Sequence, residues 1–214
     1  MIMYLAAGLF AEGSSDYEFL PALLDRLLPV ITANLFPGAA VMPTLVLRPP
    51  LGTKGSRAEK IAAAVLDKAE QFQLLIVHSD GKNRPELVRK QEVEPGFAAV
   101  AKLEVKWPII PVACLPVWEI EAWMLTDPAA FRTQYGIEAP SLPKDPERDH
   151  DPKATLKRIL KEGRVHPQSE KPHALFGRRV DLDTLDALPA FRAFKAELTE
   201  GVRAVARSQG MHQA

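Results

Sequence analysis

The 214 residues are 47% hydrophobic and 25% charged, a balance that suits a globular chain and excludes a disordered one. Lys plus Arg equals Asp plus Glu at 27 each, so the whole chain lacks the basic excess common among nucleic-acid binders, and any basic surface has to be local. The one cysteine, Cys114, lies in the apolar run PIIPVACLPV; it cannot form an internal disulfide and reads as a buried, inert thiol in a reducing cytoplasm.

The opening MIMYLAAGLF is apolar but has no basic region before it, no cleavage-type site and too little length to span a bilayer. It reads as a first strand, and no membrane partner is expected. EGSSD then makes a tight turn into a helix that places Tyr17, Leu20, Leu23, Leu24, Leu27 and Leu28 at helical spacing. Ser14, Ser15 or Asp16 can cap it, and Pro21 fits only near its first turn.

AVMPTLVLRPP reads as a strand, GTKGSRAEKIAAAVLDKAEQF as a loop and a helix with Ile61, Val65 and Leu66 on its apolar face, and QLLIVHSDG as a compact strand ending in polar residues. After a polar stretch, EPGFAAVAKLEVK predicts a short helix, WPIIPVACLPV a strand interrupted by prolines, and WEIEAWMLTDPAAFRTQYG one helix with Trp118, Ala122 and Leu125 among its apolar positions. Strands alternating with helices predict an α/β fold with a mostly parallel central sheet, because parallel neighbours need crossover connections.

From about residue 139 the texture changes to proline and charge before helical periodicity returns in DLDTLDALPAFRAFKAEL. This predicts an α/β domain over residues 1–138, with residues 139–214 forming a loop and a helical appendage packed on the same domain.

Ligands in parallel α/β sheets gather at the carboxyl ends of the strands. Glu12 follows the first strand, His78 and Asp80 the third, and Glu119 and Glu121 the fourth, so a parallel sheet would bring these groups to one edge. Mg²⁺ and Mn²⁺ take hard oxygen ligands, and one or two such ions can activate water and stabilise the leaving oxygen in phosphodiester cleavage. Taken singly, Glu12 reads as a turn acid, Asp80 as a turn residue before Gly81, and His78 as a buried strand-edge histidine. Glu119 and Glu121 sit among two tryptophans and several aliphatics, where a carboxylate needs a partner. Two apart on a regular helix they diverge, so at most one is a ligand unless the helix has barely started, and Glu119 ranks ahead of Glu121.

Lys82, Arg84, Arg89 and Lys90 follow Asp80, with Glu86, Glu92 and Glu94 interleaved: a charge-mixed solvated loop, or a phosphate contact beside the metal. LGTKGSRAEK lacks the spacing of a phosphate-binding loop, the histidines lack paired zinc spacing, and no G-x-S-x-G element is present.

The order EGSSDYEFL, IVHSDG, PVWEIEAWMLTD, KPHALFGRRVDLDTL and PAFRAFKAEL resembles a bacterial family, the domain-of-unknown-function group 4276, over nearly the whole chain. Its first two-thirds resembles the Toprim-like domain of topoisomerases, primases and the overcoming-lysogenization-defect nucleases. The resemblance implies a glutamate after the first strand and a D-x-D pair after a later one, which together hold Mg²⁺. Glu12 matches the glutamate and Asp80 one member of the pair. His78 and Lys82 occupy the two alternative places for the other member, so the D-x-D is incomplete. Glu119 or Glu121 of the E-I-E-A-W element can replace the missing carboxylate; otherwise the site is weakened or lost.

By the same resemblance, Lys171 and His173 match a basic element of the closing segment, and a lysine there can stabilise charge on a phosphate. Ser14, Asp16, His78, Lys82 and Lys171 are thus expected around the ligands as substrate or supporting contacts. The implied function is a Mg²⁺- or Mn²⁺-dependent nuclease acting in phage defence or a mobile-element system, with nucleic acid as partner. The alternative is a non-catalytic Toprim-like interaction module serving a larger complex, its partner protein encoded in the same operon.

Overall fold

A computed structural model of the chain describes residues 2–138, 140–164 and 172–211. The central sheet has four strands, all parallel, in the order β4 (Leu45–Val46), β2 (Ala7–Phe10), β5 (Leu74–His78) and β6 (Ile110–Cys114). A two-stranded parallel ribbon, β1 (Tyr4–Leu5) with β3 (Ala40–Val41), adjoins it in sequence. The α/β class and the parallel sheet expected from the alternating pattern are therefore present.

The sequence LLIVH shows why this strand is central. Leu74 and Ile76 point into one core cluster and Leu75 and Val77 into the other, so both faces of β5 are apolar, as buried parallel strands require. The larger cluster joins the sheet to α1 (Asp16–Leu35), α8 (Pro172–Arg179) and α10 (Pro189–Ser208). The smaller is closed by α2 (Arg57–Leu66) and α4 (Glu94–Val100). Each fully buried Leu, Ile or Phe side chain in these layers contributes about 1.5–3 kcal/mol.

Helix α10 lies close on the sheet because Gly201 has no side chain: a Cβ there would come within 2.7 Å of Leu74 and 2.8 Å of Val112. The same helix manages β6, at the end of the sheet order. Glu197 accepts a hydrogen bond from the Ala113 N–H at 2.9 Å and two from Arg89 at 2.7 and 3.0 Å, so this N–H of the edge strand is satisfied internally.

Several elements differ from the sequence expectation. AVMPTLVLRPP forms two short strands rather than one; Pro43, which has no N–H, lies between them. Pro21 and Pro29 both lie inside α1, beyond its first turn. Nine buried residues of this helix, most of them leucines, offset the lost backbone hydrogen bonds. The polar stretch after Asp80 is largely helical, running from α3 (Pro85–Val88) through a π-helical turn (Arg89–Val93) into α4.

The single helix expected from Trp118 onward is two. The first, α5 (Glu121–Met124), ends before Asp127, whose side chain accepts the N–H groups of Ala129 and Ala130 and starts α6 (Pro128–Tyr135). Pro128 at the first helical position disfavours the helical conformation in Asp127, which fixes the break. Beyond it come α7 (Pro152–Glu162), α8, α9 (Leu182–Leu185) and α10. No helix among the described residues is long and apolar enough to cross a membrane.

Candidate metal centre

Because β2, β5 and β6 are parallel, their carboxyl ends share one edge of the sheet. The loop after β2 delivers Glu12 and the start of α1 delivers Asp16; β5 ends at His78 and continues into Ser79 and Asp80; the loop after β6 delivers Glu119. Arg57 reaches the site from the first turn of α2, whose start is fixed by a capping box between Ser56 and Glu59.

Asp16, His78 and Asp80 each offer one ligand atom, and these atoms lie within 4.8 Å of one another. His78 Nδ1 is 3.3 Å from Asp16 Oδ2, and His78 Nε2 is 3.7 Å from Asp80 Oδ1. The imidazole is fully buried, and neither ring nitrogen has an aligned hydrogen bond among the described residues, although Asp16 is in contact with it. A buried imidazole between two carboxylates without aligned partners is an arrangement that a divalent cation would satisfy.

The two aspartates are prepared differently. Burial would raise Asp16, but its 3.3 Å contact with His78, together with the Gly13 N–H at 2.7 Å, outweighs it and holds the carboxyl below the ordinary range. Asp80 is pushed up to about 6, first by burial; His78 opposes the rise, while the charges of Asp16, Glu12 and Glu119 add to it. So Asp16 is a ready carboxylate, and Asp80 is one that a cation would draw into the charged form.

Glu12 reaches the same edge but lies outside this triad. Its carboxylate pairs with Arg57 at 2.6 Å and accepts a hydrogen bond from Ser79 Oγ at 2.7 Å. Ser79 also lies 3.0 Å from Glu92 Oε2, and Lys82 pairs with Glu92 at 2.9 Å. A hydroxyl has one proton, so Ser79 donates to one glutamate at a time, and each glutamate has a cation of its own. Lys82 and Glu92 reinforce each other: their hydrogen bond raises the lysine and, with Ser79, outweighs burial to lower the glutamate.

Glu119 and Glu121 form a neighbouring group rather than part of the triad. Glu119 precedes α5 and Glu121 is its first residue, so the pair does not sit on a regular helix. Burial, and then the charge of Glu121, raises Glu119, whose Oε2 is buried without a hydrogen bond. Glu121 is buried against His173 Nε2 at 3.1 Å and Lys153 Nζ at 3.8 Å. Ser14 is exposed on the turn before α1, and Lys171 lies outside the described residues.

The sequence reading placed Asp16 among the supporting residues, whereas it is a member of the triad. Its spacing was the available signal: an acid four residues after Glu12 across a turn, at the first position of a helix. Ser79, Glu92 and Arg57 carried no such signal, because their convergence depends on the π-helical turn and on the packing of α2.

Comparison of the chain with protein-family models, with curated proteins and with solved structures finds no match.

Proposed function

We propose that this protein holds a divalent cation on Asp16, His78 and Asp80 and hydrolyses phosphodiesters. The observation that carries the proposal is the buried Asp–His–Asp group at the carboxyl edge of a parallel sheet. An imidazole beside two carboxylates favours Mn²⁺ over Mg²⁺, which prefers all-oxygen surroundings. The ion would supply Lewis-acid charge and a means of generating a nucleophile near neutral pH.

The chain's own groups fit the rest of the task. Arg57 and Lys82, each paired with a glutamate, place two positive charges beside the triad, where they can orient a phosphate. Glu12 and Glu92, linked through Ser79, supply hydrogen-bond acceptors next to the same position. Glu119, a carboxyl that burial raises, lies close enough to Asp80 for its charge to raise that acid as well. The resemblance to the Toprim-like group supports the same chemistry through Asp80, whereas Glu12 pairs with Arg57.

The direct test is cleavage of end-labelled single-stranded DNA, duplex DNA and RNA in Mn²⁺, Mg²⁺ and EDTA. The expected result is Mn²⁺-dependent cleavage that falls at least ~100-fold in Asp16→Asn and Asp80→Asn, in line with the loss of groups acting as one unit. Cleavage unaffected by both substitutions would contradict the proposal.

A second reading is favoured by one contact. The 2.6 Å pair of Glu12 with Arg57 neutralises a carboxylate that the metal reading could otherwise use. In this reading the protein is a non-catalytic interaction module, and the contacts of His78 with Asp16 and Asp80 serve the fold alone. It predicts a folded protein that binds no Mn²⁺.

A further inference from the structure

Beside the acids lies a cavity of about 480 Å³ that the proposed chemistry does not use. Asn83, Val117, Trp118, Arg148, His150 and Pro189 are among its lining residues. Its volume falls within the range of small-molecule sites. The Trp118 and His150 rings meet edge to face, with centroids 5.2 Å apart and planes at 74°. In such a pair each ring keeps at least one face that the other does not cover. Asn83, at the rim, is exposed and carries an amide that both donates and accepts; Arg148, also exposed, adds a cation that pairs with Asp145 at 3.0 Å.

The cavity is tied to the metal centre through two loops. Asn83 lies three residues after Asp80, at most about 10 Å along the chain, and Trp118 immediately precedes Glu119. The Asn83 N–H bonds to the Val117 carbonyl at 2.8 Å, and Arg84 N–H to the Gly81 carbonyl at 2.7 Å. Gly81 has no room for a side chain, since a Cβ would come within 2.0 Å of the Pro116 oxygen and 2.6 Å of the Val117 oxygen. Lys82 and Asn83 both adopt left-handed backbone, with φ of 50° and 59°, a conformation that non-glycine residues rarely take without a local reason. The loop bearing Asp80 and the loop bearing Trp118 are thus fastened to each other. A group bound in the cavity would have a fixed relation to the acids.

We propose that this cavity binds a nucleobase. A base is planar and stacks on an aromatic face, and its edge carries the mixed donors and acceptors that an asparagine amide and an arginine can read. A sugar attached to a base in this position would place its phosphate toward Asp80 and Glu119. The proposal rests on the phosphodiester reading for that last step, and it names the substrate as a nucleotide or a nucleic-acid strand with one base held beside the scissile phosphate. The other two cavities described, one around Leu125 and Leu188 and one around Ala130 and Arg179, lie in the helical layer.

The test is titration calorimetry of the metal-free protein with AMP, GMP, CMP and UMP, with ribose 5-phosphate as the probe lacking a base. At least one nucleotide is expected to bind at least tenfold more tightly than ribose 5-phosphate. Trp118→Ala should weaken it by about fivefold or more, the lower end of what a lost base stack costs, and Trp118→Phe by less. Asn83→Gly, which removes the amide and suits the left-handed backbone of this exposed position, should change the ranking of the four bases. Equal binding of nucleotides and ribose 5-phosphate, no nucleotide binding, or affinities unchanged in Trp118→Ala and Asn83→Gly would overturn the proposal.

The omission of metal keeps the two readings separable. Mn²⁺-dependent cleavage without nucleotide binding removes the base pocket alone. Nucleotide binding without Mn²⁺ binding removes the metal centre alone.

Discussion

His78 Nδ1, on the last residue of β5, lies 3.3 Å from Oδ2 of Asp16, on the first residue of α1. This contact joins the central strand to one of the two 20-residue helices of the larger core and, with the Gly13 N–H, holds Asp16 below the ordinary carboxylate range despite burial. An acid whose folded pKa is depressed adds stability that is present above its unfolded pKa and is lost as pH falls through the folded value. Asp16→Asn is therefore expected to destabilise the metal-free protein at pH 7, with the difference shrinking at pH 3. Urea unfolding at the two pH values measures it.

Asp80 has the opposite sign. With its pKa pushed up to about 6, chiefly by burial, its folded form resists ionisation, so stability falls as pH rises from the unfolded value near 4 through 6. Asp80→Asn is expected to stabilise the metal-free protein at pH 8 and to leave it unchanged near pH 3. Thermal unfolding across this range, in EDTA, reads the crossover.

Gly81 is held between Asp80 and the backbone of Pro116 and Val117, with no space for a methyl group. Gly81→Ala must push the two loops apart and is expected to cost about 1–3 kcal/mol, the usual range for overpacking. It should also lower Mn²⁺ affinity, because the shift displaces Asp80. Denaturant unfolding and a Mn²⁺ titration on the same variant check both effects.

Glu197 holds the β6 edge and Arg89 together through three hydrogen bonds. Glu197→Ala leaves the Ala113 N–H and a half-buried guanidinium without this partner, and is expected to destabilise the fold by about 2–3 kcal/mol. Urea unfolding measures it. Because Glu197 bonds Ala113 and Arg89 rather than any member of the triad, Mn²⁺ affinity should change little.

Much of the fold was legible in the sequence because it rests on local pattern. LLIVH is apolar at every position but its last, which marks a strand buried on both faces, and Leu20, Leu23, Leu24, Leu27 and Leu28 recur at the helical period. The break at Asp127–Pro128 was equally local, since an acid before a proline is a helix start, but the apolar period on both sides of it suggested one helix.

The site was legible only as a set of strand ends. His78 and Asp80 stand out because the parallel sheet brings such ends together, while Asp16 reads only as a supporting contact, since an acid at a helix start has the simpler role of a cap. In the structure Asp16 instead accepts from Gly13 and faces His78. The pairing of Glu12 with Arg57 joins residues 45 positions apart, and that of Glu197 with Ala113 joins residues 84 apart; no spacing rule reaches so far.

The central claim is that Asp16, His78 and Asp80 form a divalent-cation site, and Mn²⁺ titration calorimetry on the wild type, Asp16→Asn and Asp80→Asn tests it most directly. The predicted result is binding by the wild type that weakens at least ~10-fold in each variant while near-ultraviolet circular dichroism shows all three folded. No binding by the folded wild type, or equal binding by all three proteins, would contradict it.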